Sequence, residues 1–291
     1  MIDNTLLQKK SNYKKLNLRQ KTLLYLVVSV VFLLIILIWG GFMDKNSYGV
    51  DFTVRNNPPS LKHIFGTDWM GRDMLTRTIK GLSTSLIIGV VASLVSCVFA
   101  VIIGSACAIF GKKIDKFFLW LIDLFQGMPH LILLVLISIL TGKGTVGILV
   151  GVALTHWTTL SRIIRAEILS IKGEPYIVIA KKLGTSNVKI ASKHILPHII
   201  PQFIVGVVLL FPHAILHEAG ITFLGFGLPP EEPAIGVILS ESMRYITSGY
   251  WWLAFFPGLA LMLMVFAFDA IGHNLEKIIN PNTCLLYTSD A

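Results

Sequence analysis

The sequence predicts an all-α polytopic membrane bundle of six transmembrane helices. Three observations predict it. Of 291 residues, 54% are apolar and only 14% charged, with a mean hydropathy of +0.73, against about 25% charged in soluble domains. Apolar runs near the ~20 residues needed to cross a bilayer recur along the chain, separated by polar segments. Basic residues cluster beside alternate ends of those runs, the pattern that sets orientation in a membrane. The net charge of +9 therefore reads as topology control and contact with anionic lipid rather than nucleic-acid binding. Cys97, Cys107 and Cys284 show no CxxC spacing; the first two lie in an apolar span and read as buried thiols. No secretory signal is evident, and the first apolar run is long enough to be retained as a span.

Residues 1–22 carry Lys9, Lys10, Lys14, Lys15, Arg19 and Lys21 and are expected in the cytoplasm. The membrane domain is expected over 23–281. Its first span is about 23–41, free of charge. Residues 42–80 form a mixed external segment with Pro58-Pro59 and the run FGTDWMGRDMLTRTIKG. The second span, about 83–110, ends at a short basic inside loop with Lys112, Lys113 and Lys116. The third, about 117–140, is interrupted by Gln126-Gly127-Met128-Pro129-His130, which predicts a kinked or broken helix. The fourth, about 146–162, holds Gly147 and Gly151, a spacing that permits close helix approach. The fifth is about 199–223 and the sixth about 251–271, with Glu231, Glu232, Glu241 and Arg244 outside between them. Trp251-Trp252 reads as an interfacial aromatic belt. Both termini fall in the cytoplasm. The tail TCLLYTSDA has no helix pattern and reads as foreign or disordered sequence over 282–291.

Between 162 and 198 stand seven Lys/Arg against two Glu, so a loop of about 163–198 is expected in the cytoplasm. Within it, GEPYIVIAKKLGTSNVKIASKHILP reads as two short helices and a turn. Pro175 suits a first helical turn. Ile177, Ala180 and Gly184 fall at i, i+3 and i+7 and give an apolar, small face. Gly184 suits a C-cap, Thr185 and Ser186 offer N-caps, and Pro197 closes or kinks the second helix. Such a pair can dock into a groove on a soluble partner; the same residues also suit an ordinary basic loop.

No GxxxxGK[ST] motif is present, so ATP hydrolysis by this chain is not expected, and no HExxH, GxSxG or paired-carboxylate pattern suggests an enzyme. Asp123, His130, His156, His213, His217, Glu218 and Asp269 would each be costly facing lipid, so they should face the bundle interior, a partner or water. His213 and His217 share a helix face at i, i+4. With His156 and Glu218 they are candidates for a pathway contact with metal or substrate. Helix–helix hydrogen bonding accounts for the same residues, and no metal ligand set is assigned.

Three stretches carry a family resemblance over roughly residues 16–281. Phe65-Gly66-Thr67-Asp68 is followed by Gly71-Arg72-Asp73. Ala180, Leu183, Gly184, Leu196 and Pro197 stand in the basic loop. Thr222-Phe223-Leu224-Gly225-Phe226-Gly227 precedes Pro233-Ala234-Ile235-Gly236. Together they resemble the permease subunits of ATP-binding-cassette importers of the dipeptide, oligopeptide and nickel group, second-permease type. One departure is visible: Val178-Ile179-Ala180 stands where the loop usually has Glu-Ala-Ala. The resemblance implies a type I importer permease fold in the bacterial inner membrane. It implies a homologous second permease, two ATPase subunits that hold ATP and magnesium and grip the loop, and an extracytoplasmic binding protein. It gives this chain no cofactor. It implies uptake of nickel, metal chelates or short peptides, and the stretch from Leu216 to Gly258 looks closer to the metal branch than to a plain di- or oligopeptide permease. A stand-alone channel or secondary transporter is the rival class; it would carry its coupling residues inside the spans.

Overall fold

The computed structural model describes residues 17–44 and 48–279. Most of the basic N-terminal segment, Cys284 and the tail expected to be foreign lie outside the described residues. Ten α-helices follow in order among the described residues: α1 Leu18–Phe42, α2 Met74–Ile109, α3 Lys112–Gly127, α4 His130–Leu140, α5 Gly144–Gly173, α6 Pro175–Lys182, α7 Asn187–Ile190, α8 Leu196–Phe223, α9 Ile235–Ile246 and α10 Trp252–Ile279. A helix satisfies its backbone polar groups internally, which a lipid environment demands. Five helical runs (α1, α2, α5, α8 and α10) are long and apolar enough to cross a membrane. The sixth crossing is made, if α3 and α4 together count as one span, by a pair bent by 99°. The break falls at the predicted interruption. Met128 takes an extended conformation (φ −92°, ψ 144°), as the residue before a proline prefers.

The spans alternate in direction. Lys172 Nζ donates to Ala108 O at 2.8 Å, so α2 and α5 end together. Lys80 Nζ donates to Gly40 O at 2.8 Å, so α1 ends where α2 begins. A Cβ on Gly272 would meet Leu209, whereas Trp252 lies against Gly66, so α10 runs opposite to α8. The bundle thus has a loop end, where α5 passes into α6 and α8 begins, and a signature end, where the 48–73 segment packs.

Small residues bring the helices together, the usual device where lipid removes the hydrophobic drive between spans. Ser161 Oγ reaches Ala100 O and Ser96 Oγ reaches Val152 O, both at 3.3 Å, across α2 and α5. A Cβ on Gly147 would lie 2.9 Å from Ser138 O, so the predicted glycine pair seats α5 against α4. One core joins α2, α5 and the start of α8 around Cys97, Trp157 and Ile164. Another joins α1, α2, α8, α9 and α10 around Phe211, Ile215 and Met264.

Three expectations are corrected. The second span begins at Met74, nine residues before the apolar run, because Asp73 caps it through Thr76 N at 2.9 Å and Arg77 is neutralised inside it. Of the two expectations for Pro197, closing the second helix is not met. A π-helical turn at Ala191–Ile195 widens the ladder just before it, with Leu196 N bonded to Ala191 O, and α8 runs on through it. Trp252 is buried against Gly66 and Thr67, while Trp251 alone is exposed in the manner of a belt residue.

Candidate functional site

Three constellations of polar or exposed groups stand out: one at each end of the bundle and one within it.

At the signature end, the external run folds into a charge hub. Asp68 Oδ1 accepts from Met70 N at 2.8 Å and Arg72 N at 3.0 Å. Its Oδ2 receives Arg72 Nε at 2.6 Å and Arg77 Nη1 at 3.0 Å. Glu241, on α9, then receives Arg77 Nη2 at 2.7 Å and Arg72 Nη2 at 3.1 Å. Asp68 and Arg77 are almost fully buried. Each charge is met by an opposite charge, which is what makes burial tolerable. Asp73 caps α2 and lies 2.8 Å from His63 Nδ1. Gly71 has φ +75°, and a Cβ there would sit 1.7 Å from Asp51 O, so only glycine fits. Thr67 bonds Asn57 N at 2.9 Å and Val54 O, and Gly66 lies under the Trp252 ring. Asp51 accepts from Thr53 N at 3.0 Å and Thr53 Oγ1 at 2.6 Å, and the hydroxyl bond first among these holds its carboxyl below the usual range. The TFLGFG turn belongs to the same end: Ser138 Oγ donates to Phe226 O at 2.9 Å and Gly144 N to Gly227 O at 3.1 Å. Gly225 forms the bend there at φ +83°. A pocket of about 690 Å³ opens beside Trp69, Lys143, Leu228, Arg244 and Tyr245.

At the loop end, α6 begins at Pro175 and ends as predicted at Gly184, φ +81°. Thr185 N bonds Ala180 O at 3.0 Å and Gly184 N bonds Lys181 O at 3.1 Å, a left-handed C-cap. Ser186 begins the next helix, its Oγ accepting from Lys189 N at 3.4 Å. The apolar face predicted from Ile177 is turned inward: Ile177 is 4% exposed and packs in the core of α2 and α5. The outward stripe is Tyr176, Ile179 and Leu183, at i, i+3 and i+7, with Leu183 80% exposed. Ala180 is partly buried, and Leu196 is exposed at the start of α8 beside Pro197. The His194 ring lies 5.6 Å from that of Tyr176, and Ile179 and Leu183 are open.

Within the bundle, three histidines from three helices meet. His130 opens α4 at the bend, His156 lies midway along α5, and His217 is near the far end of α8. Their ring centroids are 4.7, 4.6 and 5.1 Å apart, and one ligand nitrogen from each lies within 4.8 Å of the others. Of the polar span residues named from sequence, His130, His156 and His217 are brought together, the last two from the pathway set. His213 is exposed but near enough to act electrostatically on all three, and Glu218 is not part of the cluster. Glu218 is fully buried, accepts from Thr222 Oγ1 at 3.2 Å, and leaves Oε2 without a partner. Asp123 and Asp269 do not face the interior: both are exposed, the first paired with Arg162 and the second 3.3 Å from His273. Sequence reasoning named His130 among the costly polar residues of the spans but left it out of the pathway set. Its signal was its place in the broken span, where a helix end gathers polar groups. Arg77 and Glu241 were missed as a pair, because they stand 164 residues apart in the chain.

A family model described as "Binding-protein-dependent transport system inner membrane component" matches residues 100–280. The chain is 34% identical over 253 residues to the dipeptide transport system permease protein DppC of Bacillus subtilis, covering 87% of this chain and 79% of that one. It is 29% identical to the oligopeptide transport system permease protein OppC of the same organism, over 88% and 84%. The fold is similar to a chain of the MetNI methionine ABC transporter in an inward-facing conformation. That match has a TM-score of 0.59 at 17% identity and covers 71% of this chain and 98% of that one.

Proposed function

The chain belongs to the family of inner-membrane components of binding-protein-dependent transport systems, and on that premise we propose that it is one permease half of an ATP-driven importer for short peptides. The loop end faces the cytoplasm, where the basic residues of 162–198 hold it. Two ATP-binding-cassette ATPases supply the energy and hold ATP and magnesium. A homologous second permease completes the pathway, and an extracytoplasmic binding protein delivers cargo to the signature end. The likeness to DppC and OppC supports the peptide class.

One observation carries the coupling assignment. Tyr176, Ile179 and Leu183 form an exposed apolar stripe on a short helix fixed to the bundle by Ile177 and ended rigidly at Gly184. A rigid stub with an uncovered apolar face passes on a push from whatever grips it. Closure of two ATPases around ATP is a two-state event of the kind that can bias an inward–outward equilibrium through such a stub. Ala180, Leu183, Gly184, Leu196 and Pro197 are assigned to this contact. The signature residues Gly66, Thr67, Asp68, Gly71, Arg72, Asp73, Gly225 and Gly227 are assigned to the frame of the opposite gate. Uptake of a labelled tripeptide into proteoliposomes holding the complete assembly tests the reading. Uptake should require ATP and the ATPases; uptake that continues without any ATPase would sink the importer reading in favour of a channel or secondary transporter. Metal chelates are a second cargo class, favoured by the three histidines.

A further inference from the structure

We propose that His130, His156 and His217 form a binding site for a borderline divalent transition-metal ion (nickel, cobalt or zinc) inside the bundle. The three rings come from α4, α5 and α8, so the site exists only when the bundle is assembled. Neutral imidazole nitrogen is the commonest protein ligand for these ions, and three such ligands with one position left open is a recurrent set. Hard ions such as magnesium prefer oxygen.

The individual nitrogens support the assignment. His156 Nδ1 lies 3.1 Å from Val152 O and 3.0 Å from Thr155 Oγ1. The Thr155 hydroxyl itself donates to Gly151 O at 3.0 Å, so Nδ1 carries the proton and donates. That leaves His156 Nε2 with a bare lone pair, and it is buried without any hydrogen-bond partner. A ligand histidine oriented by a backbone carbonyl through its other nitrogen is the usual outer-sphere arrangement around a metal. His130 Nε2 is likewise buried and without a partner. Unpaired buried polar atoms are costly, and here two of them stand beside a third imidazole, with His213 a fourth close enough to act electrostatically on all three. The nitrogens lie within 4.8 Å of one another. A tetrahedral site with bonds of about 2.05 Å needs about 3.3 Å between them. Small ring rotations close that gap, most easily at His130, which sits on the first residue after the α3–α4 bend. His130 and His217 are only half buried, so one side of the site opens outward. His213, exposed one turn nearer the loop end of α8, stands next along the same helix.

The placement on a transport route rests on the permease reading; the metal site itself does not. A transported ion could arrive free or inside a small chelate, since the open fourth position accepts either a water or a chelate donor. The test uses the full chain purified from membranes into lipid nanodiscs. Cobalt(II) is titrated while its visible d–d absorption is followed, with magnesium as control. One cobalt should bind per chain with tetrahedral-type bands, and nickel or zinc should displace it. His130→Asn, the least buried position at a helix break, and His156→Ala should each weaken binding at least about 30-fold. His273→Ala, remote on α10, should not. Only variants that keep the parent melting temperature and elution volume are compared; His130→Asn serves if His156→Ala fails to fold. Nickel added alone and nickel added as its bis-histidine complex distinguish a free ion from a chelate. Binding no stronger than magnesium, or cobalt affinity unchanged in the folded variants, overturns the site. ATPase capture is scored on the same samples. If capture holds while cobalt fails to bind, the site alone is lost. If cobalt binds while capture fails, the site stands and the importer reading is lost.

Discussion

The two ends of this bundle carry comparable sequence signatures and opposite physics. At the signature end the motif residues are consumed internally. Asp68, Arg72, Arg77 and Glu241 satisfy one another, Asp73 caps α2, and Gly71 lets Asp51 pass within contact. At the loop end the motif residues are left over. Leu183 and Leu196 lie in the open, and Ile179 and Tyr176 extend the same apolar surface. A motif can therefore mean a structure that must close or a surface that must meet something. Burial distinguishes the two where residue type does not.

The largest expected effect breaks the closed end. Arg77→Ala removes one of the two arginines that join Asp68 to Glu241 and leaves a carboxylate that is 2% exposed with Arg72 as its remaining charged partner. Losing one partner of a buried ion pair costs about 3–5 kcal/mol when the other charge is left bare, and Arg72 puts this loss at the low end of that range. The variant should lose most folded protein in detergent, measured by fluorescence-detected size exclusion after heating. Gly71→Ala follows. It puts a methyl group onto Asp51 O and forces a left-handed backbone on alanine, a strain of about 1–3 kcal/mol before the clash is counted. A melting temperature equal to the parent's would show that the 48–73 segment is not the rigid frame described.

The same contrast explains what could be read from sequence. Hydropathy located the spans because lipid imposes a length and a composition on each. Pro129 located the break because proline constrains the residue before it. Gly184 located the end of α6 because a left-handed cap favours glycine. Helix α9 was not legible: Glu241 and Arg244 made it look like a polar loop, and Arg77, which neutralises Glu241, is far away in the chain. The orientation of α6 was not legible either. Two stripes, Ile177–Ala180–Gly184 and Tyr176–Ile179–Leu183, have the same period, and only the position of α2 and α5 decides which is inside. His156 and His217 were visible as histidines, but their meeting with His130 depends on the 99° bend, whose angle no local pattern specifies.

The two stripes of α6 allow the sharpest separation of structure from contact, with the smallest change to the protein. Ile177 is 4% exposed and packed in the core, so Ile177→Ala should cost about 2–4 kcal/mol and lower the melting temperature. Leu183 is 80% exposed, so Leu183→Ala should stay within about 0.5 kcal/mol of the parent. Yet if the outward stripe grips an ATPase, truncating Leu183 removes an apolar anchor from the centre of that contact. Such an anchor is worth about 1–2 kcal/mol or more, which is roughly a tenfold loss of ATPase capture in a pull-down at fixed concentration. A stable Leu183→Ala protein that captures ATPase as well as the parent would move the contact off this stripe. Leu196, exposed at the start of α8, would then be the next residue to truncate. An Ile177→Ala protein that is stable but uncoupled would reverse the assignment of the two faces, since a side chain buried against α2 and α5 can reach a partner only if α6 rolls.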